Sequence, residues 1–289
     1  MRKLFRIAFV FAILALLTSC DYLPVSEFEP KETVTPKGSL QVVFFDVKQA
    51  DCVLVMTDGH AMLVDAGDLR QDLLVLDYLK KYGITKLDYL VATHPDADHI
   101  GSMTSVVNEM ESIGEVIMPD TTKTTNVFKN LISAIEAKDI PLTIAMAGDS
   151  FSLGAATVHI LAPVGNKYSK TNDFSVVLRI DFGDKSFLLA GDAEIKSENE
   201  QLDSGRSLQA DVLKVGHHGS NTSSGQRYID AVSPSYAVIT CGAGNKFGHP
   251  HKEVVDRLVK AGVMIFRTDL NGTIVFITDG ITIQVEAQK

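Results

Sequence analysis

Long apolar runs are almost absent from this 289-residue chain, and basic residues are in deficit. The one stretch apolar enough to meet a bilayer, Ile7 to Leu17, falls short of the roughly 20 residues a spanning helix needs. With 36 Asp plus Glu against 27 Lys plus Arg the net charge is −9, which excludes a general basic surface for nucleic acid. A polyanionic substrate would have to be met by metal ions or by a local basic patch. Cysteine is scarce, with Cys20, Cys52 and Cys241 the only three. The last two sit inside apolar runs (Cys-Val-Leu-Val and Val-Ile-Thr-Cys) and read as buried free thiols, because a nucleophilic thiol needs an exposed, electropositive setting. There is no internal repeat and, after Lys37, no Gly/Pro/Ser-rich linker. What remains, 45% hydrophobic and 22% charged, is ordinary globular composition and excludes a disordered, collagen-like or low-complexity protein.

The first residues follow a different logic. Arg2, Lys3 and Arg6 precede the short apolar run, which leads into Leu17-Thr18-Ser19-Cys20. Basic, apolar and small-residue regions in that order make a secretory signal, and the segment resembles the leader of a bacterial lipoprotein precursor. That resemblance implies cleavage after Ser19, lipid on Cys20, and a place on the outer side of the cytoplasmic membrane or in the outer membrane. Residues 1–19 carry three basic and no acidic side chains, so the mature chain keeps 24 Lys plus Arg against 36 Asp plus Glu, a net −12. Residues 20–38, rich in Pro, Glu, Thr and Ser, read as a flexible tether, and residues 39–289 as the folded domain.

From Ser39 to Val285 short apolar runs alternate with longer amphipathic stretches, the pattern of an α/β domain. Strands are expected at Gln41–Val47, Cys52–Met56, Ala61–Val64, Leu87–Ala92, Glu115–Met118, Thr157–Leu161, Phe174–Asp181, Phe187–Ala190, Asp211–Val215, Tyr236–Thr240, Met264–Arg267, Thr273–Ile277 and Thr282–Val285. Helices are expected at Arg70–Tyr82, Ile100–Glu111, Asn126–Lys138, Gln226–Val232 and His251–Ala261, the last opened by Pro250 and closed by Gly262.

Four of the apolar runs stop in side chains that can bind metal. Leu63-Val64 stops at Asp65; Leu90-Val91-Ala92 runs into Thr93-His94-Pro95-Asp96-Ala97-Asp98-His99; Leu188-Leu189-Ala190 stops at Gly191-Asp192; and Leu213-Lys214-Val215 stops at Gly216-His217-His218. Loops beyond strand ends are where an α/β scaffold presents chemistry, so the four can meet at one site. The segment His94-x-Asp96-x-Asp98-His99 is the most specific. Two imidazoles and two carboxylates within six residues desolvate and repel one another unless a cation sits among them. Capping of the following helix by Asp98 would account for one carboxylate and for no imidazole. Asp192 alone is an ordinary strand-end turn and gains meaning from the other three. Of His217 and His218, at least one reads as a ligand. His60 and His159 belong to neither motif and read as structural.

These residues also carry a family resemblance. Asp65 after a strand, the His-x-Asp-x-Asp-His cluster, a Gly-Asp strand end and a later histidine come in the order of metallo-β-lactamase-fold hydrolases. More narrowly, six motifs resemble the hydrolase domain of ComEC-type DNA-uptake proteins over about Ser39 to Glu286. They are Phe44-Phe45-Asp46-Val47-x-Gln49-x-Asp51, His94 to Gly101, Asn172-x-x-Ser175-Val176-Val177-Leu178, Leu189-x-Gly191-Asp192, Leu213-Lys214-Val215-x-His217-His218-Gly219-Ser220 and Gly248-His249-Pro250-His251. The resemblance implies a four-layer αββα sandwich with a two-metal site where the sheets meet. It implies His94 and Asp96 on one divalent ion, Asp98 and His99 on a second, Asp192 between them, and His217, or alternatively His218, completing the second site. Asp65 would hold a ligating histidine from behind. Asp96 stands where the wider superfamily has a histidine, and no histidine occurs near Asn172. Both departures thin the first site, and the added carboxylate moves the preference from zinc towards manganese. The loop expected as Gly-Gln-Gly reads Lys48-Gln49-Ala50.

The function so implied is hydrolysis of a phosphodiester, in DNA, another nucleic acid or a nucleotide, by water activated at two divalent ions, zinc or manganese. Asp98 is the candidate to orient that water or accept its proton. His249 and Lys214 are candidates to meet the leaving group, Ser220 and Ser223 to touch a phosphate, and Asn172 to support the site. Hydrolysis of a carbonyl substrate such as a lactam, lactone or thioester is the alternative on the same fold. A binding lipoprotein without turnover is the alternative outside catalysis. No protein partner can be read from the sequence.

Overall fold

A computed structural model describes residues 36–289. The expected leader, Cys20 and the tether up to residue 35 lie outside the described residues. The strands are β1 (Leu40–Phe44), β2 (Val53–Thr57), β3 (His60–Val64), β4 (Lys86–Val91), β5 (Ser112–Met118), β6 (Leu142–Ile144), β7 (Ser150–Leu153), β8 (Ala156–Ala162), β9 (Val177–Phe182), β10 (Lys185–Leu189), β11 (Val212–Lys214), β12 (Tyr236–Ile239), β13 (Met264–Arg267), β14 (Ile274–Thr278) and β15 (Ile283–Ala287). The helices are α1 (Asp72–Lys81), α2 (Ala97–Ile100), α3 (Met103–Glu109), α4 (Asn126–Ala137), α5 (Ile195–Asp203), α6 (Gln226–Val232), α7 (Lys252–Lys260) and α8 (Thr268–Asn271).

The strands form two mixed sheets, one in the order β15-β14-β1-β2-β3-β4-β5-β6 and one in the order β13-β12-β11-β10-β9-β8-β7. Alternation along the strands decides the layering. In β1, Leu40, Val42 and Phe44 enter the apolar cluster between the sheets, while Val43 enters a second cluster with Val75, Val106 and Leu131 of α1, α3 and α4. In β10, Phe187 and Leu189 face the same inter-sheet cluster and Leu188 faces a third, with Ile229 of α6 and Leu258 of α7. A two-residue period sends successive side chains to opposite faces, so each sheet is apolar on both sides. Three apolar clusters therefore separate four layers, helix, sheet, sheet and helix, as the family resemblance implied. Cys52 and Cys241 are free and buried.

The structure departs from the expected elements in instructive places. The strand expected from Phe174 begins as a 3-10 turn over Thr171–Phe174 and becomes extended only at β9. The single helix expected over Ile100–Glu111 is two, α2 and α3. The edge strands β6 and β7, and helices α5 and α8, were not anticipated. Helix α5 carries little apolar periodicity because it buries polar groups through hydrogen bonds instead. Gln201 Nε2 donates to Ser197 Oγ at 3.2 Å, and Tyr228 donates its hydroxyl to Gln201 Oε1 at 2.7 Å.

Glu198, on the same helix, accepts from the amides of Ser224 and Gly225 just before α6. Burial outweighs these bonds and the nearby Arg257, and raises its carboxyl from an ordinary 4.5 to about 7. The native state thus keeps a proton that the unfolded chain gives up near pH 4.5, so this group's contribution to stability is complete below that pH and is lost as pH rises through 7. Wild-type unfolding free energy should fall between pH 5 and pH 8 by about 1–3 kcal/mol more than that of Glu198→Gln, which cannot ionise. Urea titrations at both pH values check this, and parallel pH profiles for the two proteins would refute it.

Candidate metal centre

Strand direction gathers the site. β3, β4 and β5 are parallel, β10, β11 and β12 are parallel, and the chemistry follows their C-terminal ends. β3 leads to Asp65, β4 to Thr93 and His94, β10 to Gly191 and Asp192, and β11 to Val215 and the twin histidines. The sheets are tied here by the Val176 amide donating to the Thr93 carbonyl at 2.8 Å. Gly191 turns the chain at φ 53°, and a Cβ there would lie 3.1 Å from the Cβ atoms of both Ser175 and Thr93. Lys48, Asp65, His217 and His218 also take left-handed φ values, 62°, 58°, 48° and 52°. Such conformations are costly for residues with a Cβ and collect at functional sites. The Lys48-Gln49-Ala50 loop therefore keeps a left-handed turn at a position where glycine was expected.

Two buried histidines are fixed from behind. His99 Nδ1 lies 2.7 Å from Asp65 Oδ2, and Asp65 is itself held by the Thr93 amide at 2.8 Å and the Thr93 hydroxyl at 2.7 Å. His218 Nδ1 donates to the Thr240 carbonyl at 2.8 Å. Each ring then turns Nε2 inward. His99 Nε2 lies 3.4 Å from Asp192 Oδ1, and His218 Nε2 lies 3.4 Å from Asp98 Oδ2 and 3.7 Å from Asp192 Oδ2. His94 packs its ring 4.1 Å from that of His99, centroid to centroid. His94 Nε2, His99 Nε2, His218 Nε2 and Asp192 Oδ1 are all buried without a hydrogen bond. One such atom costs about 1–3 kcal/mol. Several in one cluster, all imidazole nitrogen or carboxylate oxygen, make the donor set of a divalent cation. His94, His99 and Asp192 bring donor atoms within 4.8 Å of one another, and so do Asp98, His99 and His218.

The carboxylates set the protonation of the cluster. Burial disfavours charge on His99, but Asp192 and Asp65 outweigh it and hold the ring well above its usual value. Burial likewise opposes charge on His218, which Asp192 and Asp51 nevertheless raise to about 10. His94, dominated by burial and by the neighbouring His99, falls to about 4. Asp98 is driven down to about 2 despite burial, by the nearby His218, 3.4 Å away, and the charge of His99. Protons on His99 and His218 thus balance these acids, and a cation taken up here must displace them.

Asp51 is a site residue that sequence reasoning quoted in a motif and gave no role. It is buried, accepts from the Thr240 hydroxyl, pairs with Lys214 Nζ at 2.5 Å, and lies 3.4 Å from His218 Nδ1. The available signal was a carboxylate immediately before an apolar strand. Lys214, expected to meet a leaving group, does not face a substrate. It follows Val212 onto the inter-sheet side of β11, and Asp51 Oδ2, the Gly191 carbonyl and the Val215 carbonyl surround its ammonium. It is a buried counter-ion.

The remaining expected residues divide in the same way. Asp96 joins no set of three donors among the described residues; its Oδ1 is 4.0 Å from His94 Nε2 and is engaged by Lys123. His217 sits at the rim, 3.7 Å from Asp192 Oδ2 and 3.1 Å from Thr222 Oγ1, with the Asn172 amide 3.3 Å from its ring. His218, the alternative ligand, is therefore the twin that enters the cluster. Ser223 is buried and bonds back to the Gly216 and Ser220 carbonyls, and Ser220, also buried, contacts Thr222, so both brace the histidine turn instead of facing out. Gln49 accepts from the Gly242 amide, which directs its own amide group to His249 Nδ1 at 3.3 Å and leaves the ring proton on Nε2. Burial and the nearby His217 and His218 lower His249 to about 4, so it is a neutral N–H donor at neutral pH. His60 pairs with Asp88 and His159 with Asp181, as structural residues.

The chain matches the family described as the Metallo-beta-lactamase superfamily over residues 45–242. It belongs to that superfamily. Its fold implies divalent metal ions, and the His/Asp donor set described above fits them. It is 31% identical over 201 residues to ComE operon protein 3 of Bacillus subtilis, covering 70% of this chain and 26% of that protein. It is 30% identical over 243 residues to competence protein ComA of Neisseria gonorrhoeae, covering 83% and 33%. Both are ComEC-type competence proteins, in line with the motifs, and the chain spans about a quarter to a third of their length. Among solved structures, CmlA, a diiron beta-hydroxylase from Streptomyces venezuelae, superposes with a TM-score of 0.53 at 16% identity, covering 81% of this chain and 53% of that one. That likeness is one of fold alone, since one scaffold hosts different chemistries.

Removing one partner of a buried ion pair leaves an uncompensated charge, so Lys214→Met should lower the stability of the metal-free domain by about 3–5 kcal/mol. Adding Asp51→Asn should restore part of that loss. Chemical unfolding of the two single variants and the double variant reads the coupling, and strictly additive losses would show that the pair does not act as a unit.

Proposed function

We propose that this superfamily member hydrolyses phosphodiesters of nucleic acid or nucleotides outside the cytoplasmic membrane. The observation that carries the reading is the cluster of His94, His99, His218 and Asp192, buried with its donor atoms unpaired next to the partly exposed carboxylate of Asp98. The names of the relatives as competence proteins support DNA as the polyanion. Because the chain is acidic, short or single-stranded substrates gripped locally suit it better than long duplex.

His94, His99, Asp192, Asp98 and His218 would hold the ions. Bound there, divalent ions supply an acidified water and neutralise charge on the substrate oxygen. The protein's own part lies in holding protons. Asp98, 34% exposed beside the buried donors, is ionised, so it can orient the attacking water and accept its proton. His249 is neutral with its proton on Nε2, so it can donate a hydrogen bond to the departing oxygen without first being charged. Asp65 and the Thr240 carbonyl keep the ligating rings from turning.

The mature protein, loaded with manganese or zinc, should cleave a bis-aryl phosphodiester and single-stranded DNA. Asp98→Ala and Asp192→Ala should each reduce that rate by at least about 100-fold. Cleavage of a chromogenic lactam alone would transfer the assignment to carbonyl hydrolysis, and metal binding without turnover would indicate a binding protein. The lipid anchor is tested separately, because Cys20→Ala should move the protein from the membrane to the soluble fraction. Retention of that variant in membranes would remove the lipoprotein reading.

A further inference from the structure

The two halves of the cluster are unequally equipped. Asp98, His99 and His218 form a compact donor set, with Asp192 carboxylate oxygens 3.4 Å from His99 Nε2 and 3.7 Å from His218 Nε2. On the other side His94 Nε2 is buried and unpaired, and its nearest additional carboxylate is Asp96 at 4.0 Å. The imidazole that joins His94 there is that of His99, which the first set already uses. Ser175 Oγ lies 3.4 Å from Nδ1, the ring nitrogen opposite Nε2, and the Asn172 amide is turned to His217. Asp96 is also not free, because the ammonium of Lys123 is bonded to the same oxygen, Oδ1, that faces His94.

The fold explains why Lys123 arrives there. β5 lies beside β4 in parallel register, so the loop that follows β5 runs alongside the loop that follows β4. Lys123 in the first loop meets Asp96 in the second, both partly shielded at 29% and 31% exposure. An ion between His94 and Asp96 would have to share one carboxylate oxygen with an ammonium group and bear its repulsion at short range, where water screens poorly.

We propose that Lys123 is a built-in competitor for the first metal position. The cluster takes one divalent ion tightly at Asp98, His99, Asp192 and His218, and a second, against His94 and Asp96, only weakly. This rests on the metal-centre reading of the proposed function, and it adds the residue that grades the two affinities.

The test is manganese titration of the metal-free mature protein by calorimetry, with paramagnetic resonance to detect an exchange-coupled pair of ions. Wild type should show one tight equivalent, a second at least about tenfold weaker, and no coupled signal at one equivalent. Lys123→Gln should tighten the second equivalent by about tenfold or more and leave the first in place, whereas Lys123→Arg should behave as wild type. Asp96→Asn should weaken the second equivalent further. Two equally tight ions in wild type, or a second affinity unmoved in Lys123→Gln, would overturn the proposal while leaving the metal centre intact. If Lys123→Gln raises only the KM for a diester, Lys123 serves the substrate and the proposal also falls. Absence of any binding would remove the metal centre itself.

Discussion

An imidazole can offer one nitrogen to a site only if something holds the other, and the structure depends on two such holds. Asp65 grips His99 from one sheet, and the Thr240 carbonyl grips His218 from the other. Both rings are buried, so the nitrogens they present have no water to satisfy them. That unsatisfied state is tolerable because strand packing prevents the rings from swinging away and because a cation resolves it. The left-handed turns at Asp65, His217 and His218 belong to the same constraint, since an ordinary turn at these points would aim the side chains elsewhere.

Charge balance is the second condition. Asp51, Asp65, Asp98 and Asp192 converge around three histidines, an arrangement that repels itself without positive charge. The protein answers at two depths. Lys214 neutralises Asp51 permanently from within the sheet sandwich, and exchangeable protons on His99 and His218 balance Asp65, Asp98 and Asp192. Only the second kind of charge can give way to a metal ion. Lys123 stands between the two, a lysine close enough to Asp96 to compete and exposed enough to be displaced.

Much of the architecture was legible along the chain. Thirteen of the strands follow apolar runs, and the His94 to His99 segment announces its chemistry because its donors are crowded within one loop. What escaped notice shares a cause. The edge strands β6 and β7 are three and four residues long, β6 exposed throughout and β7 buried only at Leu153, so the hydrophobic pattern is weak. Helix α5 buries Ser197, Glu198 and Gln201 by hydrogen bonding, which leaves no apolar stripe to find. Asp51 and Lys214 are 163 positions apart in the numbering, and neither signals a partner by itself.

The sequence by itself determined that candidate metal-binding side chains crowd at the ends of strands, because spacing within a loop and period along a strand are local properties. Only the tertiary structure placed His218 among the buried donors and His217 at the rim, moved Lys214 from the substrate side to the interior, and brought Lys123 to Asp96. Those outcomes depend on which face of a strand a side chain takes and on which loops become neighbours when parallel strands align. Both are set by packing between distant segments, and a linear pattern carries no record of them.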